Sequence, residues 1–207
     1  QWQRAFGTAA EFIAIPSEQA VEMPHEMSFK TGATLGIPGL TAAHCCFAHG
    51  SLKQKTVLIS GGAGAVGNLA IQLAKLKGAT VYTTASKGNH AFVTGLGADE
   101  VIDYRNEDFT RLKDMDVIFD TVGGEVQEKS WQCIKAGGMM VSIVAPPEEA
   151  KAAQHNAKGA FCFVQPSNSQ LTELAALFDA GKLKIEVAEI LPLAQAAGAL
   201  AKSESGK

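Results

Sequence analysis

An α/β fold, built on a doubly wound parallel sheet with helices on both faces, is what this sequence predicts. Short apolar runs alternate with amphipathic segments from Thr56 to Gly181, the signature of repeated strand–helix units and therefore of parallel pairing. One of these runs, "DVIFDTV", is apolar on both alternating faces, as strands covered from each side tend to be. A third observation is "TVLISGGAGAVGNLAIQLAK", which passes from an apolar run through clustered glycines straight into a helical pattern.

The elements are expected in the following order. Alternating apolar positions in "GTAAEFIAIPSEQAVEMP" predict one or two short strands of a sheet whose remainder lies elsewhere. From Ser28, a candidate cap, to about Gly50 the pattern is helical, with Pro38 and Gly39 breaking it midway. Thr56–Ile59 reads as a strand and Gly67–Leu76 as a helix. "ATVYTTA" is the next strand, "HAFVTGLGA" a short helix, and "EVIDY" and "DVIFDTV" two further strands. "EVQEKSWQCIKAGG" reads as a helix stopped at Gly137, followed by the strand "MMVSIVA" and the helix "PEEAKAAQHNA". The strand "AFCFVQP" comes next, and then the helix "SQLTELAALFDAG", capped by Ser169 and stopped at Gly181.

Composition narrows the classes of function. Formal net charge is −3 with Lys and Arg scattered, so no basic stripe points to nucleic acid as the main partner. No apolar run approaches the roughly 18–20 residues that a membrane-crossing helix requires. Cys45, Cys46, Cys133 and Cys162 include an adjacent pair and no C-x-x-C, so they read as free, buried thiols in a reducing compartment. The five histidines stand apart from one another: His44, His49, His90 and His155 read as surface or helix residues, and His25, in "MPHEMS", as a loop residue. No catalytic side chain and no metal ligand is assigned.

The glycines carry the chemistry. Gly61, Gly64 and Gly67 form G-x-x-G-x-x-G after a predicted strand and before a helix. A missing Cβ lets backbone N–H groups approach a pyrophosphate, and the helix N-terminus adds partial positive charge. The P-loop alternative requires Lys directly after its last glycine, where Asn68 stands, and fails. An NAD site usually has Asp or Glu about 20 residues further on, to bind the ribose 2′-hydroxyl. No carboxylate occurs from Val81 to His90; Ser86 can donate to a 2′-phosphate and Lys87 is the nearest cation, which favours NADPH.

The stretches "GTAAEFIAIP", "GIPGLTAAHCC", "VLISGGAGAVGNLAIQLAKLKGATV", "LGADEVIDYRNEDF", "DVIFDTVGG" and "GKLKIEVAEILPLAQAAGALAKSESGK" resemble, in order, the zinc-independent quinone oxidoreductases. These are medium-chain dehydrogenase/reductases related to zeta-crystallin. The resemblance implies residues 1–27 as a remnant of a GroES-like β domain, 28–181 as a Rossmann-like NADP-binding domain, and 182–207 as a segment returning to the catalytic domain. The chain is thus expected to be a fragment of a longer enzyme. The resemblance also implies Thr41 near the nicotinamide; Gly61, Gly64, Ala65, Val66 and Gly67 on the pyrophosphate; and Ser86 and Tyr104 beside the adenosine phosphate. A family lysine often stands where this chain has Asn89, so Lys87 is its candidate substitute. Val144, Ala145, Phe163 and Val164 match strand ends whose backbone borders the nicotinamide. Ile37 occupies the place where zinc-dependent relatives have a cysteine ligand, which disfavours catalytic zinc.

The implied function is hydride transfer from NADPH to a quinone or related carbonyl acceptor in the cytoplasm. Two alternatives stay open: reduction of the carbon–carbon double bond of alkenals or enones, and a nucleotide-binding or structural role without turnover. A homodimer through the outer strand "FCFVQP" is also expected.

Overall fold

The computed structural model describes residues 10–47 and 50–204. At its centre is a parallel sheet of six strands: β1 (Thr56–Ser60), β2 (Thr80–Ala85), β3 (Glu100–Asp103), β4 (Met115–Asp120), β5 (Ile134–Ser142) and β6 (Lys158–Phe161). Their order across the sheet is β3-β2-β1-β4-β5-β6, so the chain starts in the middle, winds to one edge, returns and winds to the other. This is the doubly wound order of a Rossmann fold, with its topological switch between β1 and β4.

Helices cover both faces. α1 (Phe29–Phe47), α2 (Ala65–Leu76), α3 (His90–Gly95) and α6 (Asn168–Asp179) contribute to one apolar cluster, through residues such as Ala43, Ile71, Val93 and Leu174. On the opposite face α4 (Gly124–Ser130) and α5 (Glu149–Gln154) pack with Leu58, Ile118, Trp131 and Met140. The alternation is strict: Val57 and Ile59 belong to the first cluster, Leu58 to the second. A last helix, α7 (Ala196–Glu204), buries none of its residues.

Several expectations are corrected. Residues 10–24 form no strand; only a 3-10 turn at Ser17–Gln19 is regular, and residues 7–9 lie outside those described. The β-domain remnant expected over 1–27 therefore has no strand among its described residues. α1 is not broken at Pro38. Proline forfeits one backbone bond, but Leu35, Ala42, Ala43, Cys45 and Cys46 are buried on either side of it. Gly39 lets the helix come close to α6, where a Cβ would already lie 3.1 Å from Leu174 Cδ1. Ser28 does cap α1, accepting Thr31 N–H at 3.1 Å.

The expected long helix ending at Gly137 stops at Ser130 instead. Trp131 and Cys133 turn into the core, and β5 already begins at Ile134, four residues after the helix. Gly137, at φ +78°, is an irregularity inside β5 rather than a helix stop; its N–H donates to Asn156 C=O at 2.7 Å. β6 ends at Phe161, so "CFVQP" is connection rather than strand. α6 is capped by Ser167, which accepts Gln170 N–H at 3.4 Å, and not by Ser169; Gly181, at φ +65°, closes it as expected. α2 starts at Ala65, two residues earlier than its pattern indicated.

Candidate functional site

The turn between β1 and α2 is held from the neighbouring strand. Thr84 on β2 accepts Gly61 N–H on its hydroxyl and Gly62 N–H on its carbonyl, both at 3.0 Å. Gly61 takes φ +76°, a left-handed conformation that glycine adopts without cost. Gly67 is required by contact instead: a Cβ there would sit 2.2 Å from Gly61 O and 2.9 Å from Gly62 Cα. The turn and the first turn of α2 are thus in direct backbone contact. The helix begins at Gly64 without a side-chain cap and without an acidic residue in its first turn. The N–H groups of Ala65, Val66 and Gly67 therefore have no intrahelical acceptor and stand free for an anion.

A cleft of about 740 Å³ opens beside this turn, at the carboxyl ends of β1 to β4 and over α4. Gly61 and Gly64 line it together with Thr84, Ser86, Asn89, Tyr104, Phe109, Thr121, Val122, Glu125, Val126 and Lys129. Ser86 directly follows β2 and accepts the Asn89 amide at 3.2 Å. Tyr104, 54% exposed, forms one wall, with the Arg105 guanidinium 5.7 Å from its ring centre.

Other sequence-predicted residues fall elsewhere. Lys87 is exposed and does not line the cleft; the cation that does is Lys129, paired with Glu125 at 3.4 Å on one face of α4. Thr41 is buried in α1 with its hydroxyl donating to Ile37 C=O at 2.7 Å. Val144 and Ala145 follow the end of β5, next to the β4–α4 turn: a Cβ on Gly123 would lie 2.6 Å from Val144 Cγ1. Phe163, 61% exposed, and Val164 lie beyond β6 in its connection to α6.

Carboxylates near the cleft are already engaged. Asp103, ending β3, accepts the Asn106 amide at 2.7 Å and Arg105 N–H at 3.2 Å. The Asn106 bond, the Arg105 bond and the nearby His90 and Lys87 outweigh its desolvation and hold it below the usual carboxylate range. Asp120, ending β4, accepts from both Val122 N–H and Gly123 N–H. The Asp-x-x-Gly pattern of residues 120–123 is a local turn signal that could have located this anchor. Nothing in the local sequence distinguished Lys129 from any other helical lysine.

The thiols are buried as expected, apart from Cys162, which is half-buried. Burial raises Cys46 to about 12 and Cys133 to about 11. The Cys45 thiol is raised by its hydrogen bond to Cys162 and by burial. His155 stacks on Trp131, and His90 and His44 are half-buried; His49 lies outside the described residues. Among the described residues no group of three or more His, Cys, Asp or Glu is arranged to hold a metal ion. No helix among them is long and apolar enough to cross a membrane.

Sheet order, glycine turn and switch-point cleft define a Rossmann-type nucleotide-binding fold. A profile of the family described as "Zinc-binding dehydrogenase" matches residues 96–207. The chain belongs to that family, within the medium-chain dehydrogenase/reductase superfamily.

Its relatives include a protein of Arthroderma benhamiae named "Probable zinc-binding oxidoreductase, mitochondrial", 30% identical over 99% of this chain and 67% of that one. A tomato (Solanum lycopersicum) protein named 2-methylene-furan-3-one reductase is 36% identical over 87% of this chain and 45% of its own. Among solved structures, the quinone oxidoreductase from Coxiella burnetii superposes with a TM-score of 0.84 at 38% identity, covering 90% of this chain and 60% of that one. The chain thus spans roughly half to two thirds of the length of these relatives.

Proposed function

We propose that this chain is the cofactor-binding portion of an NADPH-dependent oxidoreductase that reduces a quinone or related carbonyl acceptor without zinc. The observation that carries this reading is the β1–α2 turn. Its backbone contact at Gly67 leaves no room for a side chain, and Gly61 and Gly64, which line the cleft, lead directly into the uncapped N-terminus of α2. In this reading Gly61, Gly64, Ala65, Val66 and Gly67 hold the pyrophosphate, and Ser86 and Tyr104 the adenosine phosphate. Lys87, next to Ser86 in sequence, would reach the 2′-phosphate from outside the cleft, whereas Asn89 lines it and donates to Ser86 at 3.2 Å. Thr41, Val144, Ala145, Phe163 and Val164 belong to the nicotinamide end.

Bound NADPH supplies a hydride; the protein supplies orientation and a dry wall. The aliphatic Ile37, at the place of a zinc-ligating cysteine, supports the zinc-free reading. We assign residues 28–181 to the NADP domain, with 1–27 and 182–207 belonging to the catalytic domain. The edge position of β6, where Phe161 is exposed, supports a homodimer through that strand. A cytoplasmic setting is part of the proposal, although several relatives are named mitochondrial, and cell fractionation distinguishes the two.

A second reading, reduction of alkenals or enones, is favoured by the 36% identity to a protein named as a furanone reductase. The test uses the full-length protein with NADPH or NADH, on benzoquinone-type and acrolein-type acceptors, with and without a chelator. Faster turnover of quinones, with NADPH preferred and no effect of chelation, is the expected result. Preference for the enal would transfer the proposal to the second reading, and absence of turnover on both would leave a nucleotide-binding role.

A further inference from the structure

A polar brace lies under the carboxyl ends of β4 and β5, where apolar packing would otherwise continue. Asp120 is fully buried and accepts four hydrogen bonds. Its Oδ1 takes Val122 N–H at 3.1 Å and Gly123 N–H at 2.8 Å; its Oδ2 takes Gln127 Nε2 at 3.0 Å and Ser142 Oγ at 2.8 Å. Ser142, also fully buried, is the register partner of Asp120 across the ladder. Its oxygen accepts Val144 N–H at 3.2 Å and Ala145 N–H at 3.4 Å. Gln127 closes the ring by donating to Ala145 C=O at 3.0 Å. Both backbone polar groups of Ala145 are therefore held by the brace.

Burying a carboxyl group, an amide and a hydroxyl together is costly unless each is satisfied. Two residues earlier on the same faces of the same strands stand Ile118 and Met140, so apolar side chains fit this layer. What the polar set achieves that apolar packing would not is to tie two loops, 121–123 and 143–145, to one point.

The placement of those loops matters because of the cleft. In the dinucleotide reading, Ser86 and Tyr104, which line the cleft, take one half of the cofactor on the β2–β3 side of the switch, and the N-terminus of α2 takes the pyrophosphate at its centre. A doubly wound sheet binds the other half across the crevice, over the carboxyl ends of the opposite strands. On that side the end of β5 carries Val144 and Ala145.

We propose that Ser142, oriented by Asp120 and Gln127, is a positioning residue that sets the Val144–Ala145 backbone against the nicotinamide half. This rests on the dinucleotide reading given above. The backbone N–H groups that Ser142 accepts are those of Val144 and Ala145, and it does not touch the residues that line the β2–β3 side of the cleft, so its removal is expected to act on the nicotinamide end.

Calorimetry on this chain with two probes tests it: NADPH, and adenosine 2′,5′-bisphosphate, which has no nicotinamide half. In Ser142→Ala, NADPH binding is expected to weaken by about fivefold or more while the bisphosphate stays within about twofold, as loss of one hydrogen-bonding centre implies. Gln127→Met, which leaves the Ser142–Asp120 bond in place, is expected to shift the ratio in the same direction and carries the test if Ser142→Ala does not fold. Equal weakening of both probes, or of neither, overturns the proposal. So does a wild-type chain that binds NADPH no more tightly than the bisphosphate. A wild-type chain that binds neither overturns the dinucleotide reading itself, and the positioning role with it.

Discussion

Gly67→Ala is the sharpest perturbation of the site, because the structure specifies what the added methyl meets. Its Cβ would lie 2.2 Å from Gly61 O and 2.9 Å from both Gly61 C and Gly62 Cα, more than an ångström short of ordinary contact at the first of these. All three atoms are backbone, so no side-chain rotation relieves the clash. Either α2 slides outward, against the packing of Leu69, Ile71 and Leu73, or the turn opens. Overpacking of this kind costs about 1–3 kcal/mol, and alanine's better helix propensity returns up to about 1 kcal/mol. A clash with fixed backbone atoms lies at the upper end of that range, so the net expectation is a loss of about 2 kcal/mol in urea unfolding.

The affinity for NADPH is expected to fall by about tenfold or more, since the free N–H groups of α2 move with the turn. Gly36→Ala, in α1 with nothing within 4 Å of the added carbon, is the control. The same change is there expected to stabilise by up to about 1 kcal/mol. Equal effects of the two substitutions, or unchanged NADPH affinity in Gly67→Ala, would refute the reasoning.

Two further outcomes follow from polar groups outside the site. Burial pushes the Asp116 carboxyl up, but hydrogen bonds from Lys135, Thr56 and Lys55 outweigh it and hold the group well below its usual range. A carboxyl lowered on folding contributes stability above its unfolded value of about 3.9 and loses it as pH falls toward the folded one. Unfolding free energy is therefore expected to drop below about pH 4 in the wild type. In Asp116→Asn this acid limb should be shallower, with about 1–2 kcal/mol already lost at pH 7 after allowing for the exposed lysines. A parallel pH profile in the variant would contradict the assignment.

Gln72 on α2 bonds both backbone groups of Lys184, donating to its C=O at 2.9 Å and accepting its N–H at 2.7 Å. In Gln72→Ala the Lys184 amide should exchange with solvent faster by about tenfold or more, whereas amides in β1 should not change.

Most of the fold was legible because its signals are local. The strand at Thr56, the glycines at 61, 64 and 67, and the helix after them depend on near neighbours, and the observed β1–α2 unit differs from expectation only by one residue at the strand end and two at the helix start. Ser86, directly after β2, was legible for the same reason. The misreadings occurred where a distant partner decides. Local pattern made "EVQEKSWQCIKAGG" one helix, but pairing of β5 with β4 claimed residues from Ile134 onward. Propensity broke α1 at Pro38, but burial of the same helix against α2 and α6 carried it through. Lys87 is next to Ser86 in sequence, yet the cation brought to the cleft is Lys129, from a helix on the other face of the sheet.

By itself, then, the sequence determined the order of strands and helices from Thr56 to Gly181, the doubly wound class and the glycine turn, since spacing along the chain encodes period, turn and close approach. Tertiary structure alone decided that Thr84 ties down the turn from another strand and that Glu125 and Lys129 line the cleft. It also decided that Asp120 and Ser142, 22 residues apart, meet across a ladder to hold two loops. Such contacts depend on strand register, and register is settled only when both faces of the sheet are buried together.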